Sequence, residues 1–206
     1  MWLKVIYTLF MAVLIPVYLV NYGPTNFLYF CDVALLLTLV GIWKEDSFFI
    51  SMCAVGIIGV QAFWVSDFLM ALIGFPLTGL TAYMFNPETS LFLRSLSLYH
   101  GWLPFLLWYL VYKVGYDPRG FPVWTLLAWI LIGTSFFFLP PPSTTMGLTP
   151  VNVNYVWGLK DSEPQTWMST YAWLALMVVG LPGFFYWPVH ILLKKFYLQR
   201  RTRMPA

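Results

Sequence analysis

The side chains best equipped for proton chemistry in this chain stand in almost entirely apolar surroundings. His100 opens the run His100-Gly101-Trp102-Leu103-Pro104, directly after Leu91–Tyr99. Asp32 lies within Phe27–Leu39, with no charged residue for eleven positions on either side. Asp67 follows Trp64 in a stretch that reads as a tight turn, and Asn86 closes the apolar run behind it. An imidazole titrates near neutrality and serves as a general base, while a buried carboxylate fixes its tautomer and stabilises its protonated form. His100 paired with Asp32 is therefore one candidate centre. The plainer alternative makes Asp32 a hydrogen-bonding group of a helix bundle and His100 an interfacial residue. For Asp67 the plainer role is a helix cap, and His190, between Pro188 and a basic tail, reads as interfacial.

The elements that must position these groups are membrane helices. Hydrophobic residues make up 60% of the 206 and charged residues 9%, against roughly a quarter charged in a soluble domain. The charge is gathered in Lys44–Asp46, Glu88–Arg94, Lys113–Arg119, Lys160–Glu163 and the tail from Lys194. Between these clusters lie runs near the roughly 20 helical residues that cross a hydrocarbon layer. Val33–Ile42 and Leu103–Tyr112 lack the period-two alternation of a barrel strand, which leaves the helix as the spanning solution. The expected architecture is all-α: a single polytopic transmembrane helical bundle over 1–206, an integral membrane, multi-pass protein.

Spans are expected near 2–20, 26–43, 47–64, 68–85, 94–114, 121–139 and 168–192. Asn21-Tyr22-Gly23-Pro24, Lys44-Glu45-Asp46, Asn86-Pro87-Glu88 and Asp117-Pro118-Arg119-Gly120 separate them by turn chemistry or charge. The stretch 47–85 is too long for one crossing and barely long enough for two. Seven spans joined around Ser66–Asp67 is one reading. The alternative is six spans with a re-entrant hairpin at Gly74, Pro76 and Gly79. The N-terminal run is expected to be retained as a first span, because no small-x-small cleavage pattern follows it. The basic tail over 194–206 marks a cytoplasmic C-terminus. Seven spans then put Lys113 and Arg119 inside, and Lys4, Lys44, Arg94 and Lys160 outside.

Residues 140–167 form the longest connection and are expected to fold as an outer extramembrane cap loop, opened by Pro140-Pro141-Pro142. Asn152 and Asn154, two apart, share one face of an extended chain, and Trp157 follows them. With seven spans, Asp32 lies near the inner edge and His100 near the outer edge. A cluster of His100 with the cap residues Asn152, Asn154 and Trp157 is then geometrically easier than His100 with Asp32. Cys31 and Cys53 lack metal or disulfide spacing, so no metal site is expected, and the sequence indicates no particular cofactor. Five basic tail residues make no nucleic-acid-reading face. Tryptophans near span ends, such as Trp43, Trp64 and Trp187, suit an interfacial belt; the sharper alternative is a pigment, quinone or acyl-chain pocket.

The segment Tyr99-His100-Gly101-Trp102-Leu103-Pro104-Phe105-Leu106-Leu107 resembles the androgen-induced family of multi-pass membrane hydrolases, in which a histidine precedes a Leu-Pro-Phe helix. Phe27–Leu35 is similar in placement to that family's threonine-bearing second span. The resemblance implies a membrane-embedded site in which a threonine and a histidine cleave fatty-acid esters. The His-to-Pro spacing is one residue shorter here. Tyr29 stands where the threonine is expected, with Thr25 four residues earlier. The resemblance thus carries over His100 and no nucleophile, Thr25 being the nearest hydroxyl.

The leading functional expectation is a lipid-acting hydrolase or acyl transferase. His100 is its base, Asp32 and Thr25 are further catalytic candidates, and Asn152, Asn154, Trp157 and Asp67 line the substrate site. The alternative class is a non-catalytic subunit of a membrane assembly. It would contact partner membrane proteins, pigment, quinone or lipid through small-residue faces at Gly56, Gly59, Gly74 and Gly79. A transporter would need an aqueous path reaching Asp32 or Asp67.

Overall fold

The computed structural model describes residues 1–142, 152–160 and 163–203, and every regular element among them is helical. In chain order these are α1 (Trp2–Tyr22), α2 (Phe30–Lys44), α3 (Ser47–Leu72), the short α4 (Leu91–Ser97), α5 (Tyr99–Val114), α6 (Gly120–Phe138), α7 (Thr170–Gly180) and α8 (Trp187–Arg203). A π-helical turn over Leu181–Tyr186 joins α7 to α8 into one long rod. Among the described residues four segments are long and apolar enough to cross a membrane: Trp2–Tyr22, Ser47–Leu72, Gly120–Phe138 and Thr170–Leu198. Such segments are compatible with an integral membrane protein.

The α3 helix is the axis of the bundle, packed against α2, α5, α6 and the α7–α8 rod. Every residue from Ile50 to Ile57 is buried, as expected for a helix apolar all round and enclosed by its neighbours. Glycines permit the closest approaches. A Cβ at Gly56 would overlap the indole of Trp124 on α6, and one at Gly120 would lie 2.7 Å from the Met52 backbone nitrogen. At Gly59 a Cβ would lie 3.3 Å from the Phe185 carbonyl. Gly56 and Gly59 thus serve contacts within this chain, and Gly74 and Gly79 stand at positive φ in a connection.

The expected break at Ser66–Asp67 does not occur. The α3 helix runs through it for 26 residues, about 39 Å at the usual rise. The Ser66 hydroxyl donates to the Ala62 carbonyl one turn back at 2.8 Å, a bond that satisfies a polar group without ending the helix. The chain then leaves helix near Ile73 and returns over 73–90 through turns and a 3₁₀ segment, Ala82–Met84. The separate span expected at 68–85 is absent.

The two ends of the bundle differ in chemistry. At one end Lys4 pairs with Glu45 at 2.6 Å, Arg119 pairs with Asp117 at 2.6 Å, and the Asp117 backbone N–H donates to Ser51 Oγ at 2.8 Å. The hydrogen bond from Lys4 holds the Glu45 carboxyl below its usual range, and that from Arg119 does the same for Asp117. His190 lies buried toward this end, with Nδ1 2.6 Å from the Tyr116 hydroxyl. At the opposite end sit the 3₁₀ segment Pro24–Leu28, the 73–90 return, α4 and the described part of 140–167. Residues 143–151 and 161–162 of the expected cap, and 204–206 of the tail, lie outside the described residues.

Candidate functional site

Asp32 and His100 belong to one site. Both line a cavity of about 610 Å³ at the end of the bundle that carries the long connections. The expected separation of the two groups came from counting seven crossings. With α3 continuous, the starts of α2 and α5 fall at the same end.

Asp32 stands in the first turn of α2, where the positive end of the helix dipole favours an anionic group. It is 2% exposed. One carboxyl oxygen accepts from Asn26 Nδ2 at 2.7 Å and the other from the Tyr99 hydroxyl at 3.1 Å. The Tyr99 ring lies on the imidazole of His100, with centroids 4.1 Å apart and planes at 24°. Trp64 of α3 also stacks on His100, at 4.7 Å and 18°. Asp32 therefore touches His100 through Tyr99 and holds one of the two plates that fix its plane.

The orientation of His100 has a local cause. The chain turns at Leu98 between α4 and α5, and the Ser97 carbonyl in the last turn of α4 takes His100 Nδ1 at 2.7 Å. A carbonyl only accepts, so Nδ1 carries the proton and, in the neutral ring, Nε2 is the nitrogen with a free lone pair. The Ser97 hydroxyl is taken by Tyr18 at 3.0 Å.

Beyond this polar end the wall becomes apolar, with Ile57 and Val60 of α3 facing Leu181, Phe184 and Phe185 of the π turn. A π turn carries an extra residue per turn and is frequent at functional sites; Pro182, which has no N–H, lies inside this one. Phe63, Leu176 and Phe184 line the cavity and are also exposed on the outer surface of the bundle. The apolar end is thus bordered by exposed residues of α3, α7 and the π turn.

The other residues singled out in the sequence divide cleanly. Asn154 lines the cavity and clamps its rim: Oδ1 accepts from the Phe30 backbone at 2.9 Å, and Nδ2 donates to the Leu28 carbonyl at 2.9 Å and Ser135 Oγ at 3.3 Å. Asn152 and Trp157 do not line it. Asn152 ties its own loop through the carbonyls of Gly158 and Lys160 and the backbone N–H of Trp157, and Trp157 stacks on Phe136 with centroids 4.6 Å apart. Thr25 lies in the 3₁₀ segment outside the lining, while its neighbour Asn26 is the residue that bonds Asp32. Asp67 is also outside. Its oxygens accept from the Thr78 backbone at 2.6 Å, the Thr81 hydroxyl at 2.7 Å and the Thr81 backbone at 3.0 Å, which pins the 73–90 return to α3.

Asn26, Tyr99 and Gln61 are among the residues of the wall that the sequence did not single out. Gln61 is 1% exposed, and neither amide atom has a hydrogen-bond partner among the described residues. The rule that singled out Asp32 also finds it, because Gln61 is the lone amide in the long apolar run of α3. Among the described residues no group of His, Cys, Asp and Glu is arranged to hold a metal ion.

No known protein family, curated protein or solved structure matches the chain, so the functional reading rests on the cavity itself.

Proposed function

We propose that the chain crosses the membrane six times and acts on membrane-borne acyl esters, as a hydrolase or acyl transferase with His100 as the general base. The observation that carries this reading is the placement of His100. Its plane is fixed by Tyr99 and Trp64, its Nδ1 is engaged by Ser97, and it lines a cavity whose far end is apolar and bordered by the exposed Phe63, Leu176 and Phe184, which we take as a lateral opening. An amphiphile entering from lipid through such an opening brings its polar end to the imidazole. As the oxygen of water adds to the ester carbonyl carbon, Nε2 takes its proton. That proton passes to the leaving alkoxide as the acyl–oxygen bond breaks. In acyl transfer a second alcohol replaces the water. No protein nucleophile is required, and Thr25 has no part in the reaction.

Replacing His100 by alanine in purified full-length protein is expected to lower ester turnover about a hundredfold or more, the usual worth of a positioned base. Turnover measured over a panel of acyl esters checks this, and parental activity in the variant removes the enzyme reading. One observation favours a non-catalytic lipid- or quinone-binding subunit instead: among the described residues no Ser, Thr or Cys side chain is hydrogen-bonded to His100. Binding of a lipid probe without turnover by the parent would decide for that reading.

Six crossings also set the sidedness. Lys4, Lys44, Lys113, Arg119, Lys194, Lys195, Arg200, Arg201 and Arg203 belong by chain position to one end, and only Arg94 and Lys160 to the other. The bias of Lys and Arg toward inner loops makes the first end cytoplasmic and carries both termini there. The cavity then faces the outer leaflet. Tags at the two termini, probed by protease in sealed vesicles, are expected to be protected or cleaved together; opposite responses would restore an odd number of crossings.

A further inference from the structure

We propose that the cavity selects uncharged, hydroxyl-bearing single-chain acyl esters, with Gln61 reading the ester carbonyl. This rests on the reading of the cavity as the lipid site and names its substrate class.

The charge of the wall comes first. Among the described residues no Lys or Arg lines the cavity, the one carboxyl is that of Asp32, and the one basic side chain is His100, whose Nδ1 is already held by Ser97. A phosphate or free carboxylate brought into this low-dielectric site finds no fixed cation to offset the loss of water, and burial of an unpaired ion is the costliest kind. The remaining polar wall is neutral, made of phenols, amides and hydroxyls such as Tyr18, Tyr83, Asn26 and Ser97. Groups of this kind recognise hydroxyls. The volume of about 610 Å³ lies in the range of a single small ligand, which suits one acyl chain with a small head.

Gln61 supplies the register. On α3 it lies three residues before Trp64, about 4.5 Å deeper than the plate that supports His100. It therefore sits between the hydroxyl-rich end and the apolar end, at the level where an acyl ester joins its head to its tail. A buried amide with both atoms unpartnered costs stability in the ligand-free protein. An ester carbonyl accepts from Nε2, and an adjacent hydroxyl donates to Oε1, so one acylglycerol satisfies both atoms. In the reaction proposed above, the same Nε2 donor faces the oxygen on which negative charge develops.

Binding is measured in the His100→Ala background, which removes turnover, with four probes: 1-palmitoylglycerol, its ether analogue 1-O-hexadecylglycerol, palmitate and palmitoyl lysophosphatidate. The glycerol ester is expected to bind about tenfold tighter than the ether, and palmitate and lysophosphatidate at least tenfold weaker than the glycerol ester. Adding Gln61→Leu is expected to abolish the ester-over-ether preference, with ether binding weakened only by the loss of the hydroxyl bond to Oε1; the ether binding that persists also shows that the variant folds. Its melting temperature is expected to stay level or rise, because an apolar side chain of similar size removes two orphaned polar atoms. Equal affinity for the glycerol ester and either anionic lipid overturns the proposal, and so does an ester preference that survives Gln61→Leu. Selective binding of the glycerol ester by a parent that turns over no ester retires the enzyme reading alone. Ester turnover lost with His100 but blind to probe charge and to Gln61 retires this inference alone.

Discussion

Replacing Asp32 by leucine is expected to abolish ester turnover and to destabilise the bundle by about 4 kcal/mol, since two buried donors lose their acceptor at about 1–3 kcal/mol each. The stranded groups are Asn26 Nδ2 and the Tyr99 hydroxyl. Tyr99 matters for activity because its ring is one of the two plates against His100. Once its hydroxyl is released, the phenol moves toward another partner and the imidazole loses its fixed plane. Asp32→Asn is the graded version. The amide keeps one acceptor oxygen and presents an N–H₂ to the other donor, so one of the two bonds is lost. About a tenfold fall in turnover with a smaller fall in melting temperature is expected. Turnover and thermal unfolding of both variants in one detergent check the account. An Asp32→Leu protein that melts and reacts like the parent would show that the Asn26–Asp32–Tyr99 chain positions nothing.

The largest purely structural effect is expected at Gly56. A methyl group there overlaps the Trp124 indole, which is fully buried and packed edge-on to Tyr186. A rigid ring enclosed on several sides cannot yield as the tip of a flexible chain would. Gly56→Ala must therefore push α3 and α6 apart, at about 3 kcal/mol, the upper part of the range for overpacked cores. Gly133 on the same α6 helix is the control, because nothing lies within 4 Å of a Cβ built there. Gly133→Ala gains helix propensity and is expected to be neutral or stabilising by up to about 1 kcal/mol. Comparison of the two melting temperatures checks the close α3–α6 contact; equal shifts would contradict it.

Much of this fold is legible from local chemistry, and the exceptions have a common cause. The breaks at Asn21–Pro24, Lys44–Asp46 and Asp117–Gly120 are written in residues that cannot continue an apolar helix, and the helices end or begin close to them. Ser66–Asp67 looked the same and is not. Its polar groups are satisfied one turn back at Ala62 and by Thr78–Thr81, which fold over from a segment more than ten residues away. Partners that come from a folded-back connection leave no local mark. The effect propagates, because one crossing more or fewer exchanges the ends at which every later helix starts. That parity separated Asp32 from His100 in the sequence reading, and the continuous α3 reunites them.

Within the site, the residues that stood alone as ionisable groups in apolar runs were the easy ones. Asn154 was found because two asparagines flank Val153, although its hydrogen bonds make it a clamp at the cavity rim as well as part of the wall. Asn152, expected at the substrate site with Asn154, and Asp67, expected there as an ionisable group in an apolar stretch, instead hold connections in place. Intramembrane polarity thus marks satisfied structural anchors as readily as chemistry. What separates them is whether the polar atoms are already saturated, as in Asp67, or left unpartnered, as in Gln61.

In the proposed function an amphiphile enters the bundle from the side and reaches the space beneath His100. A 1-acylglycerol carrying a photoactivatable group in its acyl chain, incorporated into vesicles with the full chain, tests this directly. After irradiation, peptide mapping is expected to find adducts on Ile57, Val60 or Phe185 that disappear with excess 1-palmitoylglycerol. Ile57 is wholly shielded from the outer surface, so labelling there requires entry. Adducts confined to outward residues such as Val20, Phe105 and Phe137, unaffected by competitor, would show that lipid surrounds the bundle without entering it.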